Sequence, residues 1–350
     1  MTITNNQIRT RPNPDCHVCN TRGEPLYQCL RDRLFDVLGE WDLKKCPNPQ
    51  CGLVWLDPMP IEEDIGKAYR IYYTHKDNSL PPTTLLRLAY RRVKAGYLAG
   101  KYGYQLGNTS QLVRLLGKML YLHPGRRASL DASVFYLAAQ PGGQLLEVGC
   151  GNGATLLGMQ ELGWNVEGVD FDINSVRNAR SKGLTVHHGD LMGQQYQDNT
   201  FDAIVMSHVI EHVPDPLRLF QECYRIIKRG GQLVVLTPNV KSFGHWIYGA
   251  DWRGLEPPRH LHIFNSSSLS RLALQAKFDD VSCQSSVRSW KIFLESHICS
   301  RDGKVHDLKH YSVMMRIWAE TMELLEGCIK VFFISAGEEL KLVGKKNVCN

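Results

Sequence analysis

The stretch Gln144-Leu145-Leu146-Glu147-Val148-Gly149-Cys150-Gly151-Asn152-Gly153 constrains this chain more than any other. An apolar, β-prone run breaks into a glycine-rich turn, and a helical pattern follows from Ala154 to Leu162. A strand, turn and helix in that order bring bare backbone N–H groups up to a nucleotide-like ligand. Glycine suits the turn because the chain bends sharply and a ligand must approach with no Cβ in its way. The next strand-like run, Asn165 to Val169, is followed by Asp170, where a carboxylate can accept hydrogen bonds from both ribose hydroxyls. The expected ligand therefore carries a nucleoside.

Two cofactor classes compete for such a loop. Gly149-x-Gly151-x-x-Ala154, with Asp170 lying 21 residues past Gly149, satisfies the dinucleotide fingerprint. Glu147 argues the other way. A carboxylate two places before the first glycine would be repelled by a pyrophosphate, but it suits a cofactor with a cationic amino-acid end. Further runs extend the pattern. Val186-His187-His188-Gly189-Asp190-Leu191 reads as a third strand ending in an acid. Phe201 to Ser207, the segment His208 to Pro216, and Lys228-Arg229-Gly230-Gly231 into Gln232 to Val235 read as a fourth strand, a helix and a fifth strand.

Across residues 141 to 288 this ordered set resembles the class I S-adenosylmethionine-dependent methyltransferases. The resemblance implies an α/β fold: a Rossmann-like, doubly wound sheet of the seven-stranded methyltransferase type. It also implies roles. Gly149 and Gly151 would let the backbone approach the methionine portion, and Glu147 would orient it. Asp170 would hold the ribose, Phe171 would lie against the adenine face, and Asp190 with the Leu191 backbone would read the adenine edge. Asp190 has a plainer reading as the residue that closes a turn.

Near the N-terminus, Cys16-His17-Val18-Cys19 and Cys46-Pro47-Asn48-Pro49-Gln50-Cys51 form two cysteine knuckles. Four thiolates spaced in pairs can surround one tetrahedral zinc, which would be structural because its shell is closed. Strands are expected around Leu34 to Val37 and Trp41 to Lys44. The eleven cysteines, with no secretory h-region at the N-terminus, predict a reducing, cytoplasmic setting. No apolar run is long enough for a transmembrane segment. The ribbon, with the tail Gly52 to Pro60 and the domain that follows, resembles methyltransferases acting on sugars or other small metabolites. Ribosomal RNA methyltransferases also carry an N-terminal zinc module.

Between Leu80 and Leu130 stand nine Lys or Arg residues and no Asp or Glu, which outweighs the whole net charge of +6. Apolar residues predict one helix starting near Leu85 and a second over Leu112 to Leu120. Three partners suit such a segment: a nucleic acid, an anionic membrane surface, or a phosphorylated small substrate. A solvated helical face packing its leucines on the main domain needs none of them.

Methyl transfer to a hydroxyl or a carbon acid calls for alignment and for a base near neutral pKa, which histidine supplies best. Two clusters follow the fourth and fifth strands. The first is His208-x-x-Glu211-His212, whose side chains would converge if the turn is helical. It resembles the Glu-x-x-Glu-His metal motif of ubiquinone-type O-methyltransferases, with His208 in place of a glutamate. The second is Pro257-Pro258-Arg259-His260 to Phe264, similar to the Arg-His-x-x-x-Phe run of methyltransferases with a zinc ribbon. His260 is the first choice for a base or substrate contact, followed by His212 and His208.

The expected organisation is a zinc ribbon over 1–60, a basic helical bridge or lid over 61–140, and the Rossmann-like domain over 141–345. Its last strands, Phe278 to Val287 and Glu338 to Lys345, are expected to pair antiparallel. A helical insert over about 290–335 carries Met314, Ile317, Trp318, Met322 and Leu325 at core-like spacing. The function expected is methyl transfer from S-adenosylmethionine to oxygen or carbon of a small metabolite, with an RNA acceptor as the alternative.

Overall fold

The computed structural model describes residues 7–69, 85–105, 107, 110–305 and 311–347, without the side chains of Leu85, Leu86 and Arg87. The N-terminal strands are β1 (Thr10–Arg11), β2 (Glu24–Leu30), β3 (Trp41–Lys45), β4 (Val54–Leu56) and β5 (Met59–Pro60). The short helix α1 (Glu62–Ile65) follows, then α2 (Leu85–Tyr102), α3 (Gln111–Gly117) and α4 (Pro124–Ala132). Next come β6 (Gln144–Val148), α5 (Ala154–Glu161), β7 (Asn165–Asp170), α6 (Ile173–Ser181), β8 (Thr185–His188) and β9 (Phe201–Ser207). The chain continues through α7 (Pro216–Ile226), β10 (Ile227–Pro238), α8 (Phe243–Tyr248), β11 (His262–Ile263) and α9 (Ser266–Gln275). It closes with β12 (Asp280–Ser286), α10 (Trp290–Asp302), α11 (Val313–Phe332) and β13 (Glu339–Lys345).

Seven strands make the main sheet in the order β12-β13-β10-β9-β6-β7-β8. β6 pairs in parallel with β7 and β9, and β7 with β8. A strand covered on both faces has no reason to alternate, and Leu145 to Val148 are all buried. β12 and β13 pair antiparallel, as their sequences predict. Asp215 accepts the Arg218 N–H at 3.0 Å and Pro216 opens α7, so this helix starts as its sequence signals.

Packing divides the chain into two compact units. One comprises Met1–Tyr72, Ser207–Tyr224 and Val235–Lys345; the other comprises Tyr73–Met206, Arg225–Val234 and Lys346–Asn350. In the first, the ribbon strands form a four-stranded sheet, β11-β4-β3-β2, whose edge strand comes from residues far along the chain. His262 and Ile263 pair with Trp55 and Val54.

Two local expectations change. Leu34 to Val37 is not a strand: the Asp32 carboxylate accepts the N–H groups of Leu34, Phe35 and Val37 and winds the segment into a turn. The apolar stripe on α11 is not one core face. Trp318 and Met322 pack inward, while Met314, Ile317 and Leu325 are exposed, because the buried side of the helix also carries Ala319, Glu323 and Glu326.

Candidate active site and cysteine cluster

The turn after β6 has the geometry its glycines announce. Gly149, Gly151 and Gly153 all take positive φ, at 72°, 52° and 73°. A Cβ on Gly153 would sit 2.4 Å from Leu184 Cδ1, so the start of α5 closes against its neighbour only with glycine there. A Cβ on Gly151 would meet no described atom within 4 Å, so that side of the turn is open.

Two carboxylates serve this turn. Asp170, at the end of β7, accepts the Gly151 N–H at 2.7 Å and the Asp172 N–H at 2.9 Å, and burial raises its pKa. Glu147, on β6, is buried, and its Oε2 has no hydrogen-bond partner among the described residues. Burial, and then the charge of Asp170, push its pKa well above the usual carboxylate range. An orphaned buried carboxylate is costly unless a cation answers it. Phe171 is 58% exposed and Leu191 is buried. Asp190 is exposed and accepts the Gly193 N–H at 2.7 Å, which is the turn-closing role.

The histidines follow the carboxyl ends of β9 and β10. His208 sits at φ 55°, its Nδ1 3.2 Å from Glu211 Oε1 and its Nε2 3.0 Å from Glu339 Oε1. Burial lowers its pKa, but the hydrogen bonds and charges of Glu211 and Glu339 outweigh that and raise it to about 9. An imidazole protonated at neutral pH is a pinned cation. His208 thus has carboxylate partners on both ring nitrogens, unlike His212.

The other two histidines are arranged differently. Residues 210–212 form only a short 3-10 turn, and His212 takes partners different from those of His208. Its Nδ1 lies 3.0 Å from the Arg259 carbonyl and 2.9 Å from Tyr69 Oη. His260 Nδ1 lies 2.7 Å from the Gly254 carbonyl. A carbonyl only accepts, so each Nδ1 donates its proton there, and His260 Nε2 lies 3.4 Å from the buried Glu256 Oε2. The two rings meet edge to face at 4.8 Å. Burial lowers the His260 pKa to about 4. Glu211, buried, accepts the Thr237 hydroxyl at 2.9 Å. Ligand atoms of Glu211, His212 and His260 all lie within 4.8 Å of one another.

All four expected cysteines come together. Cys16 and Cys51 sulfurs are 3.6 Å apart, Cys19 and Cys46 sulfurs 3.4 Å, and the whole group lies within 4.8 Å. A tetrahedral zinc with Zn–S near 2.3 Å separates its sulfurs by about 3.8 Å, so the donor set and spacing fit that ion.

The family described as "Methyltransferase domain" matches residues 121–283. A ubiquinone biosynthesis O-methyltransferase of Alkalilimnicola ehrlichii is 30% identical over 173 residues, which are 46% of this chain and 70% of that protein. Its counterpart in Cupriavidus pinatubonensis is 26% identical over 171 residues, 45% of this chain and 67% of that protein. The chain belongs to the class I S-adenosylmethionine-dependent methyltransferases. It spans from 47% to 70% of the length of these and similar curated relatives. A solved methyltransferase from Thermotoga maritima overlays 68% of this chain and 97% of its own, at 21% identity and a TM-score of 0.44.

As a methyltransferase of this class, the enzyme takes its methyl group from S-adenosylmethionine, and the residues present fit that cofactor. Glu147 offers an unanswered buried carboxylate to an α-ammonium, and Gly151 leaves an open face on the turn. The family match begins at residue 121, so it does not reach the four cysteines.

The partners of three residues were not apparent in the sequence. Arg259 is fully buried, forks onto Asp32 with two 2.8 Å bonds and donates Nε to Glu256 at 2.7 Å. It therefore anchors the segment that carries His260 and does not face a substrate. Asn265 donates to the carbonyls of Cys51 and Gly52 at 2.8 and 2.9 Å while its Oδ1 caps α9. Tyr69 fixes His212. An Arg or Asn in a loop carries no local signal of a partner two hundred residues away.

Proposed function

We propose that this enzyme methylates an oxygen of a small-molecule acceptor. The observation that carries the reading is the pair of imidazoles, His212 and His260, each oriented by its Nδ1 on a backbone carbonyl, with their rings 4.8 Å apart. His260, its pKa lowered to about 4 by burial and its ring held by the Gly254 carbonyl and Glu256, packs against His212 and positions it. His212 is half-buried, and its Nε2 would be the group to take up the acceptor's hydroxyl proton. The Glu211 carboxylate then answers the imidazolium charge. In the donor site, Glu147 holds the ammonium of the cofactor, Asp170 its ribose, and Phe171 and Asp190 its adenine. The names of the O-methyltransferase relatives point to the same acceptor atom. A carbon acid would use the same base. An RNA acceptor finds no support in those relatives.

The same three side chains favour one further reading. Two histidines and a carboxylate within 4.8 Å, with both Nδ1 atoms on backbone carbonyls, suit a divalent cation. Such an ion lowers the pKa of a hydroxyl bound to it.

The test is product analysis with labelled S-adenosylmethionine and a panel of catechols, phenols and hydroxylated sugars. The reading expects an O-methyl product, and a fall in kcat of about 10²- to 10⁴-fold for His212→Ala. Loss of turnover with chelator and recovery with Mg²⁺ or Mn²⁺ would establish the cation reading. Methylated RNA or an exclusively N-methylated product would overturn the proposal.

A further inference from the structure

The basic segment holds an arrangement that neither the methyl donor nor the histidine cluster uses. α2 and α3 touch backbone to backbone. A Cβ on Gly96 would fall 2.0 Å from the Val113 carbonyl oxygen, and one on Gly117 would fall 2.4 Å from the Tyr97 nitrogen. The side of α3 turned to α2 is therefore Val113, Gly117 and, past the helix end, Leu120. That leaves the opposite side uncovered among the described residues. Leu112 is 66% exposed, Leu115 59%, Met119 62% and Leu122 82%. Leu112 and Leu115 lie on α3, and Met119 and Leu122 on the 3-10 turn that continues it, so the exposed apolar side chains run along one segment packed against α2.

Cations border this run. Arg114, Lys118 and Arg126 are exposed beside it, and Arg127 lies 5.8 Å over the ring of Tyr121. No acid answers them locally, because none occurs from Leu80 to Leu130. The next acid, Asp131, is buried and taken by Tyr97, Tyr102 and Lys101. Among the described residues of the segment, Lys101 is held by Asp131 at 2.7 Å and Lys94 faces the charge of Glu161 of α5.

The partner follows from both properties together. A second copy of this face would set cations against cations. A nucleic acid would neutralise the charge but leave four large apolar side chains in water. An anionic lipid surface meets both, since acyl chains take the leucines and methionine while headgroup phosphates take the cations. We infer that α3 and the turn after it, residues 111–122, seat this enzyme on an anionic membrane surface as a peripheral protein. Among the described residues no helix is long and apolar enough to cross a membrane, so the contact lies in the interface.

Co-sedimentation of the full chain with extruded vesicles tests this, comparing equimolar phosphatidylglycerol and phosphatidylcholine with phosphatidylcholine alone, at low and high KCl. Binding should favour the anionic vesicles and weaken with salt. Arg114→Gln with Lys118→Gln should weaken it about 30-fold, near fivefold per charge. Leu115→Glu with Met119→Glu should bring it down to the level of neutral vesicles, with melting temperature and S-adenosylhomocysteine affinity unchanged. Equal binding of this variant and the native chain, or equal binding to both vesicle types, would overturn the inference. So would a dimer that the Leu115→Glu, Met119→Glu variant dissociates, or tight RNA binding that it leaves intact.

Discussion

Glu147→Gln should separate affinity from stability. In the native chain the carboxylate is buried, has an oxygen without a partner, and lies close enough to Asp170 for their charges to oppose each other. The cofactor ammonium relieves both problems. A hydrogen bond to a charged group is worth about 1.5–3 kcal/mol, so the amide should weaken S-adenosylhomocysteine binding by about 10- to 150-fold. The unliganded protein should respond in the opposite sense. A carboxyl whose pKa is raised in the folded state binds its proton more tightly there than when unfolded. Native stability then falls as pH rises from the ordinary carboxylate range through the raised value. The amide has no proton to lose, so unliganded Glu147→Gln should melt no lower than the native protein at pH 7, and its stability should vary less with pH. Calorimetric titration gives the affinity, and thermal melts with and without ligand give the stability. Affinity within twofold of native, or a large loss of unliganded stability, would refute the reasoning: the first means that Glu147 does not meet the ligand, the second that the protein itself answers its charge.

Three other outcomes follow from the same structure. Arg259→Gln strands the buried Asp32 and Glu256 carboxylates and should cost about 3–5 kcal/mol in urea unfolding; a loss under 1 kcal/mol would show the fork to be incidental. Freshly purified protein should contain about one zinc per chain by elemental analysis, and Cys46→Ser or chelation should release it and loosen residues 8–60 to proteolysis; metal-free native protein of full stability would contradict this. His208, held near pKa 9 between Glu211 and Glu339, adds stability that is complete below the free value of 6.5 and disappears as pH climbs through about 9. His208→Gln should flatten that part of the pH–stability curve and cost about 1 kcal/mol at pH 6.5, reduced by screening because the side chain is 39% exposed.

What could be read in advance was local. The apolar run 145–148 announced a strand buried on both faces, the glycines announced the turn, and Asp170 announced the strand end beside it. The paired cysteines announced their cluster because each knuckle is short. Partners far along the chain could not be read that way. The Arg259–Asp32 fork joins residues 227 apart, and β11 enters the ribbon sheet from beyond residue 260. His208 and His212 look alike in sequence. Beyond a short 3-10 turn, Glu339 on β13 receives the first and Tyr69 the second, which gives the two rings different partners. Periodicity on α11 marked an apolar stripe, but it could not tell which leucines and methionines would find a neighbour.

The most direct test is calorimetric titration of the native chain with S-adenosylhomocysteine and, separately, with NAD and NADH. The structure predicts saturable one-to-one binding of the sulfur nucleoside and none of the dinucleotides, whose pyrophosphate would face Glu147. Binding of a dinucleotide with no heat from S-adenosylhomocysteine would contradict the account at its centre.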